Sequence, residues 1–257
     1  MRNGPGGIRV GLSGWSYPHW RSDFYKGVPQ RLWLQHCAAY FNTIEVNATF
    51  YRLLNPSVFA RWRADTPEGF EFAIKGHRAL THARLLKDPG DRIAAQRDNS
   101  AEFGDKLGAV LWQLPDRLHK NIDRLARFAE DLAAWPTARH AIEFRHRSWF
   151  DTETATLLAE HGIAICQSDA GDWPRWDRVS SDLVYVRLHG APRTYVSRYS
   201  DDALKGWACR IAAWRDERRS VYVYFDNDAE GHAPRDAPRL MDLLKLQPPQ
   251  THETAVS

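Results

Sequence analysis

A short apolar run that closes on a polar or charged residue recurs about eight times along the 257 residues, at a spacing of roughly thirty. Residues 8–12 lead to Ser13 and Trp15, residues 43–46 carry Glu45 and lead to Asn47, 70–74 run into Lys75, and 107–112 into Gln113. Residues 141–142 lead to Glu143 and Arg145, and 163–167 to Ser168 and Asp169. Residues 183–188 carry Arg187 and lead to His189, while 221–225 open onto Asp226, Asn227 and Asp228. Near-continuous apolar runs are the mark of strands buried on both faces, and helical patterns between them require parallel strands with right-handed crossovers. The expected fold is therefore α/β, a single closed (β/α)8 TIM-type barrel. Its polar strand ends converge on the carboxyl-end rim, where such barrels carry their sites.

Between the runs the apolar spacing turns helical. Leu32, Leu34, Cys37, Ala38 and Phe41 share one face, and Val58, Phe59 and Trp62 share another behind Asn55-Pro56, a cap followed by a first-turn proline. Residues 93–107 read as a third helix. Ile122, Leu125, Phe128, Ala129 and Leu132 form a fourth, capped by Asn121. Residues 154–161 end at Gly162, and 201–214 and 235–245 complete the set. The connection from Asp169 to Asp182 is too short for a helix and two turns, so the sixth helix is expected to be missing or reduced. An open doubly wound sheet would carry a glycine-rich phosphate turn after an early strand, and this chain has none. The barrel is expected over residues 8–246, with flexible tails at 1–7 and 247–257.

A net charge of +3 and a pI near 8.8 are too weakly basic to imply general nucleic-acid binding, so an anionic partner must be recognised locally. Arginine, at 28 of the 35 cations, suits phosphate or carboxylate better than lysine does. Cys37, Cys166 and Cys209 are too scattered for a disulfide framework or a thiolate metal cage. With no apolar leader at residues 1–7 and no run of membrane-spanning length, a soluble cytoplasmic protein without membrane contact is expected. Trp15, Trp20, Trp149, Trp173 and Trp176 fall in loops after strands. There they serve either as stacking surfaces for a sugar or base or as plugs that seat loops on the barrel.

Several chemistries fail on their motifs. Gly11-Leu12-Ser13-Gly14-Trp15 lacks the closing glycine of a nucleophile elbow, and the calcium-loop-like start at Asp226 reaches Ala237 where a bidentate glutamate is needed. Neither a paired zinc-protease histidine motif nor a phosphate-cradling loop is present. What remains is the rim. Glu45, Glu143, Asp169 and His189 are the candidates for moving protons, and Ser13, Trp15, Asn47, Lys75, Gln113, Arg145, Arg187, Asn227 and Asp228 for holding a substrate. The competing reading is a self-neutralising ring of ion pairs that closes the barrel.

No motif names a cofactor. Glu45, Glu143, Asp169 and His189 together offer an oxygen-rich set that would suit Mg or Mn better than zinc. The loop from Gly190 to Tyr199 interleaves Arg193 and Arg198 with Tyr195 and Tyr199, a composition that suits an anion beside a ring. Two functions follow: an enzyme acting on an anionic, phosphate-bearing sugar or nucleotide, or a non-catalytic binder of single-stranded nucleic acid or anionic glycan. For the enzyme, Glu143→Gln and Arg187→Ala are expected to leave the fold intact and abolish turnover.

The blocks also carry a family likeness. Gly11-Leu12-Ser13-Gly14-Trp15-Ser16-Tyr17 with Trp20 and Phe24-Tyr25, Glu45-Val46-Asn47-Ala48-Thr49-Phe50-Tyr51-Arg52, and Phe72-Ala73-Ile74-Lys75 with Thr81-His82 come first in order. Leu111-Trp112-Gln113-Leu114-Pro115, Glu143-Phe144-Arg145 with Ser148-Trp149-Phe150, Ser168-Asp169, Tyr185-Val186-Arg187-Leu188-His189-Gly190 and Tyr222-Val223-Tyr224-Phe225-Asp226-Asn227-Asp228 follow. In this the chain resembles the YecE-like family, the domain of unknown function numbered 72. The resemblance implies a barrel and assigns no activity. One departure is Asp226 and Asp228 flanking Asn227, where the family pattern favours asparagine-like residues.

Overall fold

A computed structural model describes residues 7–247. The expected tails, apart from Gly7 and Gln247, lie outside the described residues. All pairings are parallel, and the strands are β1 (Ile8–Ser13), β2 (Thr43–Val46), β3 (Glu71–Lys75), β4 (Leu107–Gln113), β5 (Arg139–Glu143), β6 (Ala164–Ile165), β7 (Gln167–Ala170), β8 (Leu183–Gly190) and β9 (Ser220–Phe225). Their order is β6-β5-β4-β3-β2-β1-β9-β8-β7.

Nine segments stand where eight runs were expected because the sixth run is broken at Cys166. Its first part, β6, pairs with β5 through Ala141 and Ala164, and its second, β7, pairs with β8 through Ser168 and Arg187. One bent strand thus joins the two ends of the sheet and brings it close to a complete barrel. The bend keeps its backbone satisfied, since Cys166 N still donates to Ile142 O and the Gln167 amide donates to Ile165 O and Arg178 O.

Side chains alternate strictly across the barrel wall. Ala73, Ala109, Leu111, Ala141, Ala164, Cys166, Leu183, Tyr185, Tyr222 and Tyr224 form the interior, while Val10, Leu12, Ile44, Val46, Ile74, Trp112, Ile142, Val186, Val223 and Phe225 pack outward under the helices. The interior is lopsided. Small side chains on β3 to β6 leave room for three tyrosines from β8 and β9, whose hydroxyls must find partners once buried. Tyr224 bonds Thr43 on β2, Tyr185 donates to Glu45, and Tyr222 donates to Glu71. Gly11 is required where β1 meets β2, because a Cβ there would stand 1.9 Å from Thr43 O.

The helices are α1 (Trp33–Tyr40), α2 (Ala48–Tyr51), α3 (Pro56–Ala64), α4 (Gly90–Ser100), α5 (Ile122–Leu132), α6 (Thr152–Glu160), α7 (Asp201–Asp216) and α8 (Ala233–Leu243). Asn55 and Asn121 cap α3 and α5 as their positions foretold, accepting from Ser57 N and Arg124 N. The third expected helix starts earlier, at Gly90, and tightens into 3-10 geometry at Ala101–Lys106, where Gly104 takes a non-helical conformation. No helix lies between β7 and β8, as the short connection required. Among the described residues no helix is long and apolar enough to cross a membrane.

Candidate functional site

Arg187 is the hub of the carboxyl end. From the inner face of β8 its Nη2 reaches Glu45 Oε1 at 2.8 Å and its Nε reaches Glu45 Oε2 at 3.1 Å, a two-point grip that suits the planar guanidinium. Nη1 donates to Glu143 Oε2 at 2.9 Å, and Nη2 also reaches Asp226 Oδ2 at 2.9 Å and Ser13 Oγ at 3.1 Å. Arg187 is 1% exposed and Glu45 and Glu143 fully buried, so these charges depend on one another for solvation. Tyr185 and Ser13 complete the cage by donating to Glu45, and Asn47 Nδ2 donates to Ser13 Oγ at 3.0 Å.

His189 stands two residues further along the same face. Its Nδ1 lies 2.9 Å from Asp226 Oδ2 and its Nε2 lies 3.3 Å from Glu143 Oε1, so the buried ring links two carboxylates. Burial alone would raise the Glu143 carboxyl, but Arg145, Arg187 and His189 outweigh it and hold it well below the usual range. Asp226 is held down in the same way, against its burial, by Arg187 and His189. Asp228 differs: burial and the nearby Asp226 charge push its carboxyl up, with the Tyr17 hydroxyl, which donates to Ser13 O, opposing the shift. The rim therefore holds carboxylates of opposite tendency, an arrangement that suits acid–base work.

Lys75 and Arg145 are less fully matched. Lys75 Nζ donates to Gln113 Oε1 at 2.9 Å and sits 4.7 Å from the centre of the Phe50 ring. Burial, reinforced by the Arg187 charge and only partly offset by the carboxylates, lowers its amine to about 8. Gly76, directly after Lys75, lets the chain turn against Trp112, since a Cβ there would meet the indole at 2.0 Å. Arg145 Nη2 lies 2.7 Å from Glu143 Oε1, its guanidinium carbon is 3.2 Å from the centre of the Trp173 ring, and its buried Nε has no hydrogen-bond partner. The His82 ring is lowered to about 4 by burial first and then by Lys75, Arg78, Arg117 and Arg145, which marks this side of the rim as electropositive.

Ser13, Glu45, Asn47, Lys75, Gln113, Glu143, Arg145, Arg187 and His189 thus converge at one end of the barrel, and Asp228 stands beside them with Tyr17. Three expected residues point elsewhere. Asp169 accepts from the Trp207 indole of α7 at 3.0 Å, in the helix layer, while its neighbour Ser168 donates to Glu143. Asn227 is buried and donates to Ser197 O and Asp236, tying loops together. Trp15 packs edge-on against Trp62 of α3. The reason is the twofold period of a strand: counting by two from Cys166 reaches Ser168, and from Tyr224 reaches Asp226. The same count from Arg187 reaches Tyr185, so parity would have found Asp226, Ser168 and Tyr185. Trp173 comes from the helix-free connection and carries no such signal.

The oxygen donors that would suit Mg or Mn do not form a free set. Glu45 and Glu143 face Arg187 instead, Asp169 is turned away, and among the described residues no group of three or more His, Cys, Asp or Glu is arranged to hold a metal ion. A guanidinium occupies the place where the carboxylates converge.

The chain and its fold have relatives. A family model described as a protein of unknown function, DUF72, matches residues 9–256. The chain is similar to UPF0759 protein YunF of Bacillus subtilis, 24% identical over 279 residues that cover 93% of this chain and 95% of that protein. It is 28% identical over 144 residues to UPF0759 protein YecE of Escherichia coli, covering 56% of this chain and 50% of YecE. The crystal structure of a DUF72 family protein from Thermotoga maritima aligns with a TM-score of 0.81 at 25% identity, covering 93% of this chain and 99% of that one. One from Enterococcus faecalis aligns at 0.79 and 20% identity, covering 95% and 99%.

Proposed function

This chain belongs to the DUF72 family, and because that membership leaves the chemistry to the site itself, we propose that the carboxyl-end rim is the active site of an enzyme. Its substrate is a small phosphate-bearing sugar or nucleotide, and its reaction is acid–base chemistry of the hydrolase or isomerase kind. The observation that carries this reading is the unequal pairing of the three rim cations. Arg187 is matched by three carboxylates and builds the floor, whereas Arg145 keeps an unpartnered buried Nε and Lys75 has only a neutral amide for a hydrogen-bond partner. Charge that the protein leaves under-matched in a desolvated site is what a bound anion would complete. Arg145 on Trp173 takes the phosphate, with Arg78 and Arg117 adding field. His189, set between Asp226 and Glu143, moves the proton.

Titration with inorganic phosphate tests the binding half. Wild type should bind, and Arg145→Gln should weaken binding at least tenfold; equal affinity would remove the reading. For the chemical half, a set of sugar phosphates and nucleotides followed by phosphorus NMR should show turnover in wild type and none in His189→Asn.

The non-catalytic reading, a binder of single-stranded nucleic acid or anionic glycan, has weaker support because the loop tryptophans are already engaged. Trp20 and Trp149 are buried, Trp176 stacks on Phe150, and Trp173 carries Arg145. That reading would be favoured by binding that falls steeply with salt and yields no product.

A further inference from the structure

Lys75 is an unusual occupant for an anion pocket. It projects from the end of β3 into the barrel mouth, 9% exposed, and among the described residues no carboxylate forms an ion pair with its Nζ. Its neighbours are the Gln113 carbonyl oxygen, the Phe50 ring, and His82, whose ring meets Phe50 edge-on at 5.0 Å. The ring face attracts an ammonium only weakly and a neutral acceptor does not neutralise it, so the buried amine is less well served in its charged form than a carboxylate partner would leave it. Glu45, Glu143 and Asp226 reach Lys75 with their fields, but all three are committed to Arg187.

We propose that Lys75 is a nucleophile that captures the carbonyl group of an aldehyde or ketone substrate as an imine. This rests on the reading of the rim as a phosphate-binding site and narrows its substrate to a phosphorylated carbonyl compound. In the free-amine form the nitrogen lone pair attacks the carbonyl carbon, a C–N bond forms, and the carbonyl π electrons pass to oxygen, which takes a proton. The resulting carbinolamine loses its hydroxyl as water when that oxygen is protonated again and the nitrogen lone pair closes the C=N bond. The net change is carbonyl plus ammonium to protonated imine plus water. An amine near 8 leaves roughly a tenth of the lysine neutral at pH 7, against well under a thousandth for an ordinary lysine. The protonated imine is an electron sink, which would serve cleavage or isomerisation beside the former carbonyl.

Reductive trapping tests the step. The protein is incubated with glyceraldehyde 3-phosphate and sodium cyanoborohydride, then digested and mapped by mass spectrometry over its seven lysines. The adduct is expected at Lys75 at least tenfold faster than at any of the other six, with a pH midpoint near 8, suppressed by inorganic phosphate, and absent from Lys75→Arg. Labelling of Lys75 no faster than of the others, with phosphate still bound in an Arg145-dependent way, would overturn the imine and leave the phosphate site standing. Fast labelling of Lys75 that unphosphorylated glyceraldehyde matches and phosphate does not suppress would keep the imine and overturn the phosphate site.

Discussion

The two ends of the barrel use similar residues to opposite effect. At the amino end Arg9 pairs with Glu71 at 2.8 Å, Tyr222 donates to the same carboxylate, and Arg139 reaches Asp182 at 3.1 Å. These groups line a cavity of about 230 Å³ open to solvent, and Asp182 is 82% exposed. At the carboxyl end Arg187 gathers three carboxylates with almost no access to water, and the cations left under-matched stand at the edge of that network. Arg139 Nη2 also lacks a good hydrogen-bond partner, but its carboxylate Asp182 stands in solvent, whereas the carboxyl-end network is desolvated on both sides of each pair. What sets the carboxyl end apart is how completely its charged network is withdrawn from water.

The contrast breaks most readily through stability. Arg187→Met should cost about 3–5 kcal/mol in denaturant unfolding, because it strands buried carboxylates, whereas Asp182→Asn should stay within about 1 kcal/mol. Equal losses would mean the two ends are alike. The depth of this burial also revises the expectation, formed from sequence, that Arg187→Ala leaves the fold intact. Glu143→Gln is subject to the same correction, since Arg187, Arg145, His189 and Ser168 all lean on that carboxylate.

Trp173→Ala sharpens the comparison with less damage. Removing the ring under Arg145 should weaken phosphate binding by about 1–2 kcal/mol, five- to thirtyfold by calorimetry, while the melting temperature hardly moves. An unchanged affinity would separate the stacked pair from anion binding.

A smaller effect is a pH signature at Lys75. Its amine is near 8 when folded and near 10.4 when unfolded, so between these values the unfolded chain holds more protons and stability rises with pH. Wild type should gain on Lys75→Met across that window, and the gap between wild type and Arg9→Met should stay flat, since arginine does not titrate there. Parallel curves for the two variants would contradict the buried amine.

The smallest effect lies in acid. His82 at the rim and His140 in the outer layer are both lowered to about 4 by burial, His82 with help from the neighbouring cations. Stability should therefore fall as pH drops from about 6.5 toward 4, because the unfolded chain takes up protons first. His82→Gln and His140→Gln should each flatten that slope by up to about one proton. A slope unchanged in both would contradict the assignment of the acid loss to these two buried rings.

Much of the architecture was legible because its signal is local and repeated. Eight apolar runs marked the strands, the Asn55 and Asn121 caps marked their helices, and the short connection after Asp169 gave away the absence of a helix between β7 and β8. The site was legible to the extent that strand ends point one way. Asp169, Asn227 and Trp15 were misplaced because adjacency to a strand end does not say which face a residue takes, although the parity of Cys166-to-Ser168 and Tyr224-to-Asp226 carried that information. Trp173 and His82 come from irregular connections, and no period reports where such residues land.

The amino-acid sequence by itself determined that the strands are parallel, that they close around one interior, and that their polar ends share a rim, because alternation and spacing are properties of neighbours along the chain. Only the tertiary structure decided which cation would be spent on the carboxylates and which would be left over. That choice depends on distances between strands far apart in sequence, and on a burial deep enough for each charge to need its partner.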